Sequence, residues 1–457
     1  MEESNVEGVS TVRISWLKPE DRIEHEFRQL REEGADPSGL EERWRKGGTE
    51  DLDKQRELAL ELLDASVALR RNDDDLDVAA FVRSAAAPSP STRFDRADLE
   101  NRLNAAWTGR AAGCLLGKPV EKVPREGIRE ILQSIGEWPL ERYFTAEGVP
   151  ADVTERYAWN RASRGTSMRE NIECMPEDDD LNYAMLNLHV VEKSGEGFTT
   201  EDVATAWLQM MPVLTVFTAE RVAYENLLHH LLPPDTALYR NPYREWIGAQ
   251  IRADVWGWVS PGDPGRAAEL AWRDARLSHS ANGIYGEMFV AAMVARAFTT
   301  SDVVEVVETG LQFVPEESRL AAAIRFAMDL PQQTSDWEEA LDLLYAELGH
   351  YHWVHTINNA ALVAAALLFG EGEFEKTICY AVMGGWDTDC NGATVGSIVG
   401  VMGGAGSIPA GLIPTAWSDP LRNRVRTSLK GFDNSRLDEL AARTLAQVPE
   451  RYLVSAS

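Results

Sequence analysis

The stretch Gly384-Gly385-Trp386-Asp387-Thr388-Asp389-Cys390-Asn391-Gly392 stands between two apolar segments, Ile378–Met383 and Ala393–Met402. Acids flanked by predicted core are costly unless they are paired or hold a cation. The string Asp-x-Asp-x-Asn-Gly imitates the start of a calcium loop. Ile398 stands at its twelfth position, where that loop needs a bidentate acid, so a calcium hand is rejected. Gly392, Gly396 and Gly400 recur every four residues, which permits close helix packing. The reading is a tight turn presenting Asp387 and Asp389 at the start of a buried helix.

Outward from this turn, helix-like segments rich in Ala, Leu, Met and Trp follow one another from about Arg96. They include Asp179–Glu192, Thr200–Gln209, Ile284–Ala297, Trp337–Leu348 and Asn358–Phe369. Apolar residues in Ile284–Ala297 recur at roughly 3.6-residue spacing, and long alternating β patterns are scarce. Asn282-Gly283 and Asn391-Gly392 each precede a helical pattern, so they read as entries into helices rather than hairpins. The expected fold is all-α. Residues 1–85 are polar with periodic leucines such as Leu58, Leu62 and Leu63, and Ala85–Thr92 reads as a linker. The predicted division is a helical accessory extension over 1–90 and a catalytic body over 95–457. The extension is expected to cap the body or set its oligomeric state without chemistry of its own.

A second acidic run, Pro176-Glu177-Asp178-Asp179-Asp180, directly precedes Leu181, Ala184, Met185, Leu188 and Val191, which share one helical face. Its carboxylates therefore sit at a helix N-terminus, where free N–H groups and the dipole favour anions. Capping needs one or two acids, and four in succession repel one another unless solvent or a cation intervenes. A cap with solvated neighbours and a metal site both fit the pattern.

The chain has 457 residues, 44% of them hydrophobic, and a net charge of −28. That length suits a large body with one appendage. The charge argues against nucleic acid or an anionic membrane as a partner, while supplying carboxylates for hard cations. Met1–Ser10 is polar and acidic, unlike a secretory signal, and no apolar run reaches membrane-spanning length. Four cysteines without a CxxC pair make neither a disulfide framework nor a zinc knuckle, which points to a reducing cytoplasm. No G-x-S-x-G elbow, Walker loop or dinucleotide fingerprint occurs. Gly349-His350-Tyr351-His352-Trp353-Val354-His355 lacks zinc-protease spacing. Tyr351 or Trp353 either stacks on a base or packs in the core. Trp256 and Trp258 either line a pocket or pack.

Together these segments resemble the ADP-ribosylglycohydrolase family, which includes the dinitrogenase-reductase-activating glycohydrolases. Thr108–Glu121 looks like the family's opening helix with its Gly-x-x-x-Gly-x-x-x-Glu pattern, here Gly113, Gly117 and Glu121. Asp178 and Asp179 match its paired aspartates, Asp387 and Asp389 its later Asp-x-Asp, and Ser278-His279-Ser280-Ala281-Asn282-Gly283 its central histidine segment. The resemblance runs from about Asn104 to Pro420. It implies an all-α fold and a site for two Mg²⁺ ions, with Mn²⁺ as an alternative. Glu177, Asp178, Asp179, Asp387, Asp389 and Cys390 would hold the metal, Glu121 and Asp179 would act in catalysis, and His279, Asn282, Gly283 and Tyr351 would contact substrate.

Departures from the family pattern bear on the substrate. Glu177 stands where the family usually has Ser or Thr, and Asp180 and Cys390 where it usually has Thr. A thiol suits Mg²⁺ less than a hydroxyl does. Ile247–Trp258 replaces the glycine-rich phosphate loop. The leading expectation is Mg-dependent hydrolysis of an N- or O-glycosidic bond to a ribosyl group, on a small-molecule or ADP-ribosylated substrate. The alternatives are a nucleoside or ribosyl-metabolite N-glycosidase without pyrophosphate recognition, and a non-catalytic binding or structural protein.

Overall fold

The computed structural model describes residues 14–70, 92–402 and 413–454. Three leading helices, α1 (Pro19–Glu32), α2 (Ser38–Lys46) and α3 (Leu52–Ser66), share a small core of Ile23, Phe27, Leu30, Leu40, Ala59, Leu62 and Leu63. The body that follows is helical throughout; among the described residues there are isolated bridges but no strand. Its site-forming helices are α4 (Arg96–Gly117), α5 (Asp179–Ser194), α6 (Thr218–Leu228), α7 (Ala281–Ala297), α8 (Arg319–Gln333), α9 (Thr356–Gly370), α10 (Phe374–Met383) and α11 (Thr388–Met402). The all-α expectation is met, and the predicted helix over 179–192 runs two residues further. Residues 85–91 of the expected linker lie outside the described residues.

The pairing of α4 with α11 organises the body. Gly109 lies against Gly396, Gly113 against Gly392, and Gly117 against Thr388, so the two helices run antiparallel. A Cβ on Gly113 would stand 1.9 Å from the Gly392 carbonyl oxygen, and one on Gly392 would stand 2.4 Å from that of Gly113. Backbone meets backbone here, so any side chain would force the helices apart. The Thr388 hydroxyl donates to the Gly117 carbonyl at 2.9 Å and fixes the register. This contact brings the end of α4, with Glu121 just beyond it, to the beginning of α11.

The leading helices are tied to this body by buried charge. Arg244, 2% exposed, donates to Glu26 at 2.7 Å and to Glu33 at 2.6 Å. Gln29 donates to Glu245 at 2.7 Å, and Arg22 pairs with Glu225 on α6. Glu32 accepts from the backbone N–H of His352 at 2.6 Å. Burying an arginine between two carboxylates is tolerable only while both remain, so the extension and the body depend on each other for that charge balance.

Candidate active site

Between α10 and α11 the chain turns through Gly385 at φ 76 and Trp386 at φ 54. A glycine adopts that left-handed conformation freely; a tryptophan there is strained and must be held. Trp386 stacks on Tyr345 at 4.5 Å, and the Tyr345 hydroxyl donates to the Gly384 carbonyl at 2.8 Å. Asn359 of α9 accepts from the Asp387 backbone N–H at 3.2 Å and from the Asn391 side chain at 2.7 Å. The result aims Asp387 and Asp389 from the N-terminal turn of α11 into a cleft of about 630 Å³. Oxygens of these two acids and the Cys390 sulfur lie within 4.8 Å of one another, all buried.

The other acidic run meets them from α5. Asp178 caps that helix, accepting from the Asp180 N–H at 2.9 Å, and pairs with Lys118. Asp180 is fully buried and bound by Arg110 of α4, which donates to its carbonyl at 2.8 Å and its carboxylate at 3.0 Å. The second Asp180 carboxylate oxygen has no hydrogen-bond partner. Glu177, Asp178, Asp179, Asp387, Asp389 and Cys390 all line the same cleft, as does Glu121. Glu121 accepts from Asn160 at 2.5 Å and from Lys122 at 3.2 Å. One Glu177 oxygen is committed to the Ser428 backbone N–H at 2.8 Å and to Asn182 at 3.2 Å.

The electrostatics of this floor are those of crowded anions. Burial, then the neighbouring carboxylates Asp178, Asp180, Asp389 and Glu220, push Asp179 well above the usual carboxylate range. Burial and the charges of Asp389 and Glu121 do the same to Asp387. Burial, Glu121 and Asp178 push Asp389 up to about 7. Burial and Asp180 likewise raise Cys390, so its thiol stays protonated and donates to Asp180 and Asp387. Two ammonium groups pair into this floor, Lys118 with Asp178 and Lys122 with Glu121. A divalent cation matches this donor set, which offers hard oxygens and excess negative charge.

Four expected substrate contacts sit elsewhere. His279 is 1% exposed, bonded through Nδ1 to the Ser278 hydroxyl at 2.8 Å, and burial with Arg252 nearby lowers its pKa well below the usual value. Asn282 donates to Glu245 at 2.7 Å and accepts from the Leu320 N–H at 3.0 Å. A Cβ on Gly283 would fall 2.6 Å from the Arg244 carbonyl. Tyr351 is buried against His355 at 4.7 Å. None of the four lines the cleft; Asn282 braces Glu245 behind it. Trp256 and Trp258 are core residues, fully buried.

The model of the ADP-ribosylglycohydrolase family matches residues 95–452. The chain belongs to the ADP-ribosylglycohydrolase family. A search of the curated proteins returns no match. Among solved structures, an "ADP-ribosylglycohydrolase-related protein complex" is similar at 19% identity and TM-score 0.46, over 77% of this chain and 98% of that one. Family membership makes the chain a member of a glycohydrolase family acting on ribosyl groups, and no described helix is long and apolar enough to cross a membrane.

Some cleft residues gave no signal in the sequence. Glu220 of α6 is buried at the cleft wall, and burial raises it to about 7 against the pull of Arg252, which donates to it at 3.0 Å. Lys118 and Asn160 carry no motif. Trp16 and His25, from the extension expected to cap the body or set its oligomeric state without chemistry, also line the cleft, with Trp246, His352 and Trp353.

Proposed function

We propose that this protein is a divalent-metal-dependent glycohydrolase that cleaves the glycosidic bond of a ribosyl group, with Mg²⁺ as the natural ion and Mn²⁺ as a substitute. The observation that carries this reading is the convergence of two helix-start acid pairs, Asp178/Asp179 and Asp387/Asp389, with Glu121 at the floor of one cleft. Asp179, Asp387 and Asp389, joined by Asp178, would hold the ions. Cys390 would stand beside them as a neutral donor rather than an anionic ligand. When bound, such cations polarise ribose hydroxyls and lower the pKa of water.

The chain's own residues do the rest. Glu121 would take a proton from an attacking water, a role supported by Asn160 and Lys122, which hold its carboxylate. Asp179, on the same cleft lining, would orient the sugar. Developing positive charge at the anomeric carbon is favoured by the anionic floor.

A substrate without pyrophosphate is favoured over ADP-ribose by one observation. The two lysines that line the cleft, Lys118 and Lys122, are both engaged by carboxylates, Asp178 and Glu121. The test is release of ribose or its conjugate from ADP-ribosyl arginine, ADP-ribosyl serine and free nucleosides, with Mg²⁺ and with EDTA. Metal-dependent release is expected, abolished by at least a hundredfold in Glu121→Gln. No release from any substrate by metal-loaded protein, or equal release in EDTA, would sink the reading.

A further inference from the structure

Trp16 stands outside the family match, on the segment leading into α1, yet it lines the cleft. Its backbone is left-handed at φ 64, a conformation that tryptophan adopts only when the surroundings impose it. Those surroundings are specific. Arg22, itself 4% exposed, donates to the Trp16 carbonyl at 3.0 Å. Arg221 of α6 donates to the Ser15 carbonyl at 3.3 Å and lies over both the Trp16 and Phe217 rings, at 5.0 and 5.5 Å. Phe217 meets Trp16 edge-on at 5.8 Å and stays 38% exposed on the cleft rim.

Nearly two turns into α1, His25 enters the same cleft. It meets Trp246 edge-on at 5.4 Å, and Trp246 stacks on His352 at 4.3 Å with rings nearly parallel. Burial and Arg28 lower both imidazoles, His352 to about 3, so the rings are neutral and behave as aromatic surfaces. The cleft thus has two unlike sides: a carboxylate floor and a wall of neutral aromatic rings. The floor suits sugar hydroxyls and cations; a wall of this kind suits the face of a planar ring.

We propose that the leading helices complete the substrate site, and that Trp16 and His25, with Trp246, His352 and Phe217, form a subsite for a planar heteroaromatic ring carried on the ribosyl group. This rests on the ribosyl reading above and narrows it to substrates of nucleoside type. The buried pairing of Arg244 with Glu26 and Glu33 keeps the wall in place. Trp16 and His25 are specificity residues here, contributed by a segment the family body lacks.

The experiment uses the full-length protein and measures dissociation constants by calorimetry for adenosine, ADP-ribose and ribose 5-phosphate. The aromatic probes are expected to bind at least tenfold tighter than ribose 5-phosphate. Trp16→Ala should weaken adenosine about tenfold, as expected for one lost stacking partner, and leave ribose 5-phosphate unchanged. Trp16→Phe should restore most of the difference, and His25→Ala should reproduce the loss if Trp16→Ala fails to fold. Trp44→Ala, on α2 and outside the cleft, is the control for damage to the extension. Equal binding of aromatic and sugar probes, or wild-type adenosine binding in both the Trp16 and His25 variants, overturns the proposal. Failure of the ribosyl-hydrolase reading is seen separately, as absent metal-dependent turnover while the preference for aromatic probes persists.

Discussion

The floor of the cleft is made by backbone contact, and its aromatic wall by side-chain charge. On the floor, α4 and α11 touch through glycines, so the positions of Glu121, Asp387 and Asp389 follow from helix geometry with little freedom. The wall is assembled from remote pieces, Trp16, His25, Trp246 and His352, held by Arg22, Arg221 and Arg244. A floor built this way tolerates almost no change in volume. A wall built on ion pairs can be released without unfolding the body, and can be altered to suit a different ring.

The sharpest way to break this comparison is at the glycine contact. Gly113→Ala places a methyl 1.9 Å from the Gly392 carbonyl oxygen, with no flexible side chain to yield. A loss of about 3 kcal/mol is expected, at the upper end for overpacking because both partners are backbone. Urea denaturation measures it, and a midpoint equal to wild type would show that the two helices are free to separate.

Glu26→Gln attacks the wall instead. Although buried, Glu26 is held below the usual carboxylate range by Arg244 and Arg70. Removing its charge leaves Arg244 short of a partner, at a cost of about 2 to 3 kcal/mol. The expected outcome is local: the leading helices become sensitive to limited proteolysis while the body keeps its response to Mg²⁺. Loss of that response together with the helices would mean that floor and wall form one cooperative unit.

Both acidic turns were legible in the sequence because each is contiguous and stands out against apolar neighbours; a run such as Asp387-Thr388-Asp389 needs no tertiary information to be noticed. The glycine spacing at 392, 396 and 400 announced a close helix contact, although not its partner. The strong apolar period of segments such as 284–297 made the helices legible, although that helix begins three residues earlier, at Ala281. Trp16 and His25 were not, because their place depends on ion pairs spanning about two hundred residues, such as Glu26 with Arg244. Asn282 braces the buried Glu245, and in sequence such a polar residue looks like one that faces a ligand. Glu220 was hidden by an ordinary helix composition.

The floor's charge makes a pH-dependent prediction. Asp389 and Glu220 are raised to about 7 in the folded protein by burial, from about 4 in the unfolded chain. A folded pKa above the unfolded one gives stability that is complete below pH 4 and is lost as pH rises toward 7. In EDTA, melting temperature should therefore fall across that window. On the proposed reading Mg²⁺ would bind the ionised floor of the folded state, so the stabilisation it adds should grow from pH 5 to pH 8. Asp389→Asn should remove most of the Mg²⁺ effect. Melting curves that ignore both metal and EDTA at pH 8 would remove the cation from the site.

The smallest effect expected is at Cys390, and it sharpens the account of the floor most finely. The thiol is buried, protonated and shared between Asp180 and Asp387, so it serves the floor as a weak donor. Cys390→Thr keeps a donor in nearly the same volume and exchanges a soft sulfur for a hard oxygen. If the side chain borders the ion, calorimetric titration should show Mg²⁺ binding tightened about threefold to tenfold, at most about 1.4 kcal/mol. The hydroxyl is also a better donor to Asp180, so melting temperature in EDTA should rise slightly. Should Mg²⁺ affinity stay the same while metal-free stability rises, Cys390 belongs to the hydrogen-bonded support of the floor and the ion lies nearer Asp179 and Asp389. Weaker Mg²⁺ binding in Cys390→Thr would contradict both placements, because neither gives the sulfur an advantage over oxygen for a hard cation.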